Sequence, residues 1–443
     1  MSAPETTTKT GFRFGDLKNI FGNGGSLKQF GILAALIVII LFFQWWTNGT
    51  TLSPGNVINI VQQYSYILIL AIGMVMVIIA GHIDLSVGSV AALVGIVVAI
   101  SMRDWSLPWY LAIVLGLVVG AAIGAWQGFW VAYIGVPAFI VTLAGMLLWR
   151  GANQFIGDAD TIPVPKEFVY IGGGYLPEWG PDTGYNNSTL LLGVIISAVL
   201  VYNEWRGRAT RRKMGSDPVP LWVSIVRVGI LVAVVIYAAT LFGGYREGTS
   251  FPVSGVILGV LILVYSFVTR NTILGRHIYA VGGNRHAAAL SGVKSRRVDF
   301  LVMMNMSILA AVAGMIFVAR SQASGPFDGN GWELDAIAAV FIGGAAVAGG
   351  VGTVVGSIIG GLVMAVLNNG LVLKGIGSDQ VQMIKGLVLL VAVAIDVYNK
   401  SQGRFSIIER LTRGRKGSTS SVNAEANETV RPDATKPDPT LPG

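Results

Sequence analysis

Cysteine is absent and charge is scarce. With no Cys in 443 residues, disulfide frameworks, thiol catalysis, Cys-ligated zinc and iron–sulfur clusters are excluded. Charged residues make up 12% of the chain, about half of the roughly 25% found in soluble domains. The polar shell that would keep so long a chain in water is missing. Catalytic and nucleotide signatures are missing too: there is no H-E-x-x-H, no G-x-S-x-G, and no Gly-Lys-Ser or Gly-Lys-Thr. The chain therefore carries no Walker-type ATP site and no recognisable enzyme constellation.

Apolar sequence is abundant instead. Hydrophobic residues reach 53% and the mean hydropathy is +0.66, which excludes disorder over most of the length. The 58 glycines follow no collagen-like period; beside long apolar runs they suit close-packed transmembrane helices. The net charge of +8 falls in the gaps between apolar runs, as the positive-inside rule requires, and not on one face as nucleic-acid binding would. The composition is that of an integral membrane protein.

At about 17–25 residues per span, the apolar runs predict approximately twelve helices. They fall near 30–46, 58–80, 84–101, 109–127, 136–150, 188–203, 220–242, 252–269, 299–319, 334–348, 352–373 and 381–398. The short tenth segment beside a Gly-rich stretch is alternatively a broken or re-entrant element. Residues 1–29 are polar, with no early apolar run and cleavage site, so no removed signal peptide is predicted. Loop 150–187 holds two bases against five acids, whereas loop 204–219 holds five bases against two acids. Loop 270–298 holds six bases and no acid, and the segment after 399 is again basic. One orientation satisfies them all: both termini and the basic loops cytoplasmic, loop 150–187 outside. Residues 399–443 form a cytoplasmic tail whose Ser-, Thr-, Pro- and Asp-rich end is predicted to be disordered.

Four segments carry candidate function. His82, Asp84, Leu85, Ser86, Gly88 and Ser89 stand at the junction of two apolar helices. Asp84 or Ser86 caps the following helix, or the ionisable pair His82 and Asp84 belongs to a proton relay or transport path. In the 270–298 loop, Gly283 and Gly292 flank a short helical pattern begun by the N-capping residue Asn284. Arg285, Ala287, Ala288, Ala289, Leu290 and Ser291 complete it. So short a helix needs something to pack against: the membrane surface, or a partner protein, in which case Ala288 and Ala289 should tolerate little added volume. Gly343, Gly344, Gly349, Gly350 and Gly352 permit close helix contacts or a gating hinge. Glu333 and Asp335 form a solvated helix start, or part of an outer docking surface or gate. Lys385, inside the last span, either snorkels or pairs with an acid.

In this order, these segments resemble the membrane permeases of bacterial monosaccharide ABC importers. The resemblance rests on Ile83-Asp84-Leu85-Ser86-Val87-Gly88-Ser89, Pro137-Ala138-Phe139-Ile140-Val141-Thr142-Leu143 and Ala280-Val281-Gly282-Gly283-Asn284. It continues through Ala288-Ala289-Leu290-Ser291-Gly292, Glu333-Leu334-Asp335-Ala336-Ile337-Ala338-Ala339, the Gly cluster and Asn369-Gly370-Leu371. His82 and the 150–250 insertion depart from ribose-type members and resemble xylose and multiple-monosaccharide permeases. The resemblance implies an all-α polytopic fold with a ten-helix permease domain plus an inserted pair, spanning 30–398, in the bacterial plasma membrane. It implies a second copy of the chain, a cytoplasmic ATPase holding the ATP and Mg2+, and an extracytoplasmic sugar-binding protein that delivers a monosaccharide, xylose before ribose. This chain would bind no cofactor and no nucleic acid, and residues 284–292 would be the coupling helix seated on the ATPase. The alternatives are an ion-coupled secondary transporter, recruiting His82, Asp84 and Lys385, or a passive channel.

Overall fold

The computed structural model describes residues 26–215, 220–244 and 250–401. Most of the polar N-terminal segment, residues 216–219 of the basic loop and the tail expected to be disordered lie outside the described residues. The first half contains α1 (Ser26–Trp46), α2 (Pro54–Ile79), α3 (Val87–Arg103) and α4 (Trp109–Phe129). A π-helical turn, Trp130–Ile134, ends α4 and leads into α5 (Ala138–Ile156). Then come β1 (Ile162–Pro163), α6 (Lys166–Gly173) and the hairpin α7 (Asn187–Lys213) and α8 (Leu221–Gly243). The second half holds α9 (Val253–Asn271), α10 (Ile273–Gly283), α11 (Arg285–Leu290) and α12 (Ser295–Ser321). It closes with β2 (Ala323–Ser324), α13 (Trp332–Ile342), α14 (Val354–Leu373) and α15 (Ser378–Ser401). β1 and β2 pair antiparallel, Ile162 opposite Ser324.

Local sequence sets many of these starts. Pro108, Pro137, Pro165, Pro220 and Pro252 each stand immediately before a helix in an extended conformation, where the missing N–H costs nothing. Asn186, Thr272, Asn284 and Thr353 accept a backbone N–H from the first turn through their side chains, satisfying a donor that has no partner within the helix.

Burial separates centre from periphery. Of the apolar windows, 78% of α2 and 67% of both α12 and α14 are buried, against 11% of α7 and of α8. A helix apolar all round can sit in such a centre, and one facing lipid need not bury its surface at all. The most extensive seam joins α4 to α12. Gly116, Gly120, Gly124 and Gly128 recur every fourth residue along α4; a Cβ at Gly120 would lie 2.6 Å from that of Ala311, and one at Gly124 2.7 Å from the Met304 Cα. Small residues at this spacing let two backbones approach where no hydrophobic drive exists between helices in lipid.

Eight helices among the described residues are long and apolar enough to cross a membrane, with Gly31–Trp46 and Val87–Arg103 as shorter apolar helices. A helix occupies each of the twelve predicted places, but the tenth is no span. α13 has 11 residues, about 16 Å of helix against a hydrocarbon core of about 30 Å, and the Gly-rich 343–353 segment that stops it is irregular. Two loop boundaries also shift. Residues 204–213 continue α7, because Arg and Lys are good helix formers whose stems cover apolar surface while their charges reach water. Loop 270–298 contains α10, an eleven-residue helix that the charge pattern concealed.

The α4–α12 seam is directly testable. Gly124→Val should lower the unfolding temperature of the detergent-solubilised protein, since overpacking a closed contact costs about 1–3 kcal/mol. Gly151, with open space over its Cα, should accept Ala with a slight rise, helix Gly costing about 0.5–1 kcal/mol relative to Ala. Equal behaviour of the two variants would contradict the seam.

Candidate functional site

Of the sequence-predicted residues, His82 and Gly350 lie against the segment that opens α11. Its six residues begin where the Asn284 side chain accepts the Ala287 N–H at 3.0 Å and end at Gly292, whose φ of +84° suits a residue without a Cβ. His286, Ala287 and Ala289 are exposed, and Leu290 is 91% exposed. Ala288 faces the other way and is 5% exposed within the chain's own core. The expectation that Ala288 and Ala289 share one docking face is therefore corrected: adjacent residues lie about 100° apart on a helix, and the outward pair is Ala289 and Leu290.

An ion cluster fixes the start of α11. Arg285 donates from Nη1 to Asp299 Oδ2 at 2.6 Å and from Nη2 to Oδ1 at 3.0 Å. His82 Nε2 lies 2.9 Å from the same Oδ1. Carboxylate oxygens only accept, so Nε2 carries the proton in this contact; the 3.3 Å approach of Arg285 Nη2 to that nitrogen is then a close contact and not a further bond. The Asp299 side chain is 4% exposed, that of Arg285 44%. Three elements thus meet at one buried carboxylate: α11, the second turn of α12 and the segment leaving α2. Beside it opens a cavity of about 460 Å3 whose walls include Ile83, Val131, Pro137, Phe139 and Arg296.

The segment leaving α2 runs inward from this cluster. Gly81, at φ +87°, turns the chain out of α2, and His82 to Ser86 continue without regular structure to α3. Asp84 Oδ1 accepts the Ser86 N–H at 2.8 Å and its hydroxyl at 2.7 Å, and Gln127 Nε2 donates to Ser86 Oγ at 2.8 Å. This corrects the cap reading in detail. Neither side chain, Asp84 or Ser86, accepts an N–H from within α3; Asp84 instead closes a turn one step earlier, and Ser86 links that turn to Gln127 of α4. Leu85 packs on the core, and Ser89 is buried.

The Gly-rich segment lies against the same end of α2. Gly350 N–H donates to Ile79 O at 2.8 Å, and Tyr279 of α10 donates to Gly352 O at 2.7 Å. Gly349 and Gly350 both take positive φ, +82° and +71°, a pair of conformations that other L-residues seldom share. Gly343 packs against the Gly356 backbone, and Gly344 lies near Ile32.

Glu333 and Asp335 do not form a solvated helix start. Glu333 is 6% exposed, with Oε2 unpartnered beside Gly88, because the first turn of α13 packs against that of α3. Asp335 is paired with Lys385 at 2.6 Å, which is the acid expected as one alternative for that lysine. Outside the spans, burial pushes the Asp328 carboxyl above its usual range, partly offset by the Gly325 N–H it accepts. Asp299 and Gln127 were not singled out from the sequence. The available signal for Asp299 was an acid directly after a loop of six bases; Gln127 offered only its polarity inside an apolar run. Among the described residues no three His, Asp or Glu side chains gather as a metal site.

The profile of the family described as "Branched-chain amino acid transport system / permease component" matches residues 56–393. The xylose transport system permease protein XylH of Escherichia coli K12 is 40% identical over 378 residues, 85% of this chain and 93% of the relative. That of Haemophilus influenzae is 38% identical, covering 85% and 98%. The ribose import permease protein RbsC of Escherichia coli K12 is 34% identical over 397 residues, covering 90% and 99%. No solved structure matches the chain significantly.

The cluster predicts an asymmetry. Arg285→Met leaves a buried carboxylate with less compensation, whereas Asp299→Asn leaves an arginine that can reach water. Arg285→Met should therefore destabilise the solubilised protein more, by roughly 1–3 kcal/mol, the cost of stranding a buried polar group. Thermal unfolding of the two variants checks this, and the reverse ranking would contradict it.

Proposed function

The chain belongs to the permease family of the branched-chain amino acid transport type, and we propose that it is the membrane-spanning subunit of an ATP-driven monosaccharide importer. It is a non-catalytic, multi-pass membrane protein. The observation that carries the reading is α11: a capped six-residue helix held by ions on one side and presenting Leu290 almost fully exposed on the other. A helix this short is not stable by itself, and an exposed leucine on a fixed helix suits a groove in a partner. We assign that partner as the cytoplasmic ATPase, which holds ATP and Mg2+ that this chain has no motif to bind.

The rest of the assembly follows the same reading. The basic end, with α11, faces the cytoplasm of a bacterial cell, and loop 150–187 lies outside with a sugar-binding protein as its partner. Two copies of the chain form the path, and residues 82–86 are the permease segment nearest to α11 on the way into it. D-Xylose is the proposed cargo, supported by 40% identity to the xylose permease against 34% to the ribose permease. ATP binding acts by favouring one of two arrangements through differential contacts at α11. Two of the three residues that ion coupling would recruit are engaged in ion pairs: Lys385 with Asp335, and His82 with Asp299.

Two substitutions separate docking from folding. Leu290→Glu should leave the permease inserted and stable while it loses capture of the ATPase and sugar-stimulated ATP hydrolysis. Ala288→Trp should lower the permease's own stability, by about 1–3 kcal/mol, because position 288 is internal. Co-purification and ATPase assays on equal amounts of inserted protein provide the test. Wild-type capture and coupling by Leu290→Glu would remove the assignment of α11.

A further inference from the structure

No residue of the inserted hairpin enters the cluster around α11. Only 11% of the apolar window of either α7 or α8 is buried, and the two helices pack chiefly on each other. They are pinned together in two places. Toward one end Gly193 lies against Ala239, where a Cβ would come within 2.6 Å of the alanine methyl. Toward the basic end Arg208 donates to Ser224 Oγ at 2.6 Å, and Ser224 donates to Glu204 at 2.7 Å.

An open, shallow groove of about 600 Å3 runs along the hairpin, lined by Val194, Ser197, Val201, Trp205, Val232 and Ile236. One turn nearer the basic end, Gly229 leaves open space over α8. From Val194 to Trp205 the groove is about 16 Å long at 1.5 Å per residue, half of the roughly 30 Å hydrocarbon core. It is one leaflet deep. At its mouth the exposed rings of Tyr202 and Trp205 lie 6.1 Å apart, as aromatics do at a headgroup boundary. The stripe 194, 197, 201, 205 continues in helical register to Arg208 and Arg212. Arg206, Arg212 and Lys213 are exposed there. Glu204, the single acid from 204 to 213, is engaged by Ser224.

We propose that this hairpin is a binding site for one anionic phospholipid, with an acyl chain in the groove and the phosphate headgroup on Arg206, Arg212 and Lys213. A transmembrane helix from another protein would need a groove running the full thickness of the bilayer, and this one stops halfway. A zwitterionic lipid would fill the groove but would make little use of three bases at its mouth, since basic residues near an anionic headgroup each add several-fold to binding. The site does not depend on the importer reading.

Native mass spectrometry of the purified full chain, titrated with phosphatidylglycerol or phosphatidylcholine of identical acyl chains, tests the proposal. The wild type should hold one phosphatidylglycerol at least roughly tenfold more tightly than phosphatidylcholine. Combined Arg206→Gln, Arg212→Gln and Lys213→Gln should abolish that preference, and Val201→Trp, a change at an exposed position, should weaken both lipids by filling the groove. Arg296→Gln with Arg297→Gln, in the other basic region, should leave the preference intact. Equal wild-type affinity for the two lipids would overturn the site. So would an unchanged preference in the triple variant, its loss in the Arg296/Arg297 variant, or photo-crosslinking from position 201 to a protein in place of lipid.

Discussion

A single buried carboxylate organises the end of the molecule that we assign to coupling. Asp299 is 4% exposed and receives Arg285 from α11 and His82 from the segment leaving α2. A charge so placed is costly unless it is paired, and removing one partner of a buried pair is costlier than forming it. That asymmetry ties three chain segments together. α11 cannot tilt away without stranding Asp299, and His82 cannot leave without loosening the turn that Asp84 closes on Ser86. The cluster is thus a joint between the surface presented by Leu290 and the polar segment that runs into the helices toward Gln127.

Membrane depth explains why the remainder of the site is built from half-helices and glycine. Backbone groups within a bilayer have no water to turn to, so irregular segments persist only where protein surrounds them. Residues 82–86 are enclosed by α4 and α5 through Gln127 and Thr142, the Thr142 hydroxyl donating to Ile83 O at 3.3 Å. The 343–353 segment is enclosed by α2 and α10, through Gly350 to Ile79 and Tyr279 to Gly352. Both irregular segments therefore lean on the end of α2, the most buried of the long helices. A displacement of α10 and α11 would reach both at once.

Much of this was legible in residue order. Apolar run lengths located the helices, Asn284 and Gly292 framed α11, and the family resemblance stood on motifs spread along the chain. Facing was not legible. In a run as short as Ala287-Ala288-Ala289 every residue is apolar, and only packing against the rest of the fold decides that Ala288 turns inward. The depth of Glu333 was hidden for a similar reason: a carboxylate at a helix start looks solvated until the first turn of α3 is found against it. Asp299 escaped notice because its partners lie 14 and 217 residues away in sequence, beyond any local pattern. The helical continuation of 204–213 was hidden by charge, which marks where a span meets water but not where its helix ends.

The joint at Asp299 is tested most directly by the number of sugars transported per ATP in proteoliposomes containing the ATPase and the binding protein. The measurement is made as a double-mutant cycle between His82→Ala and Arg285→Met. Each single variant should still capture the ATPase yet move fewer sugars per ATP, and the double variant should lose less than the two effects combined, because both act through one carboxylate. An unchanged ratio in the single variants, or losses that simply add, would contradict the joint.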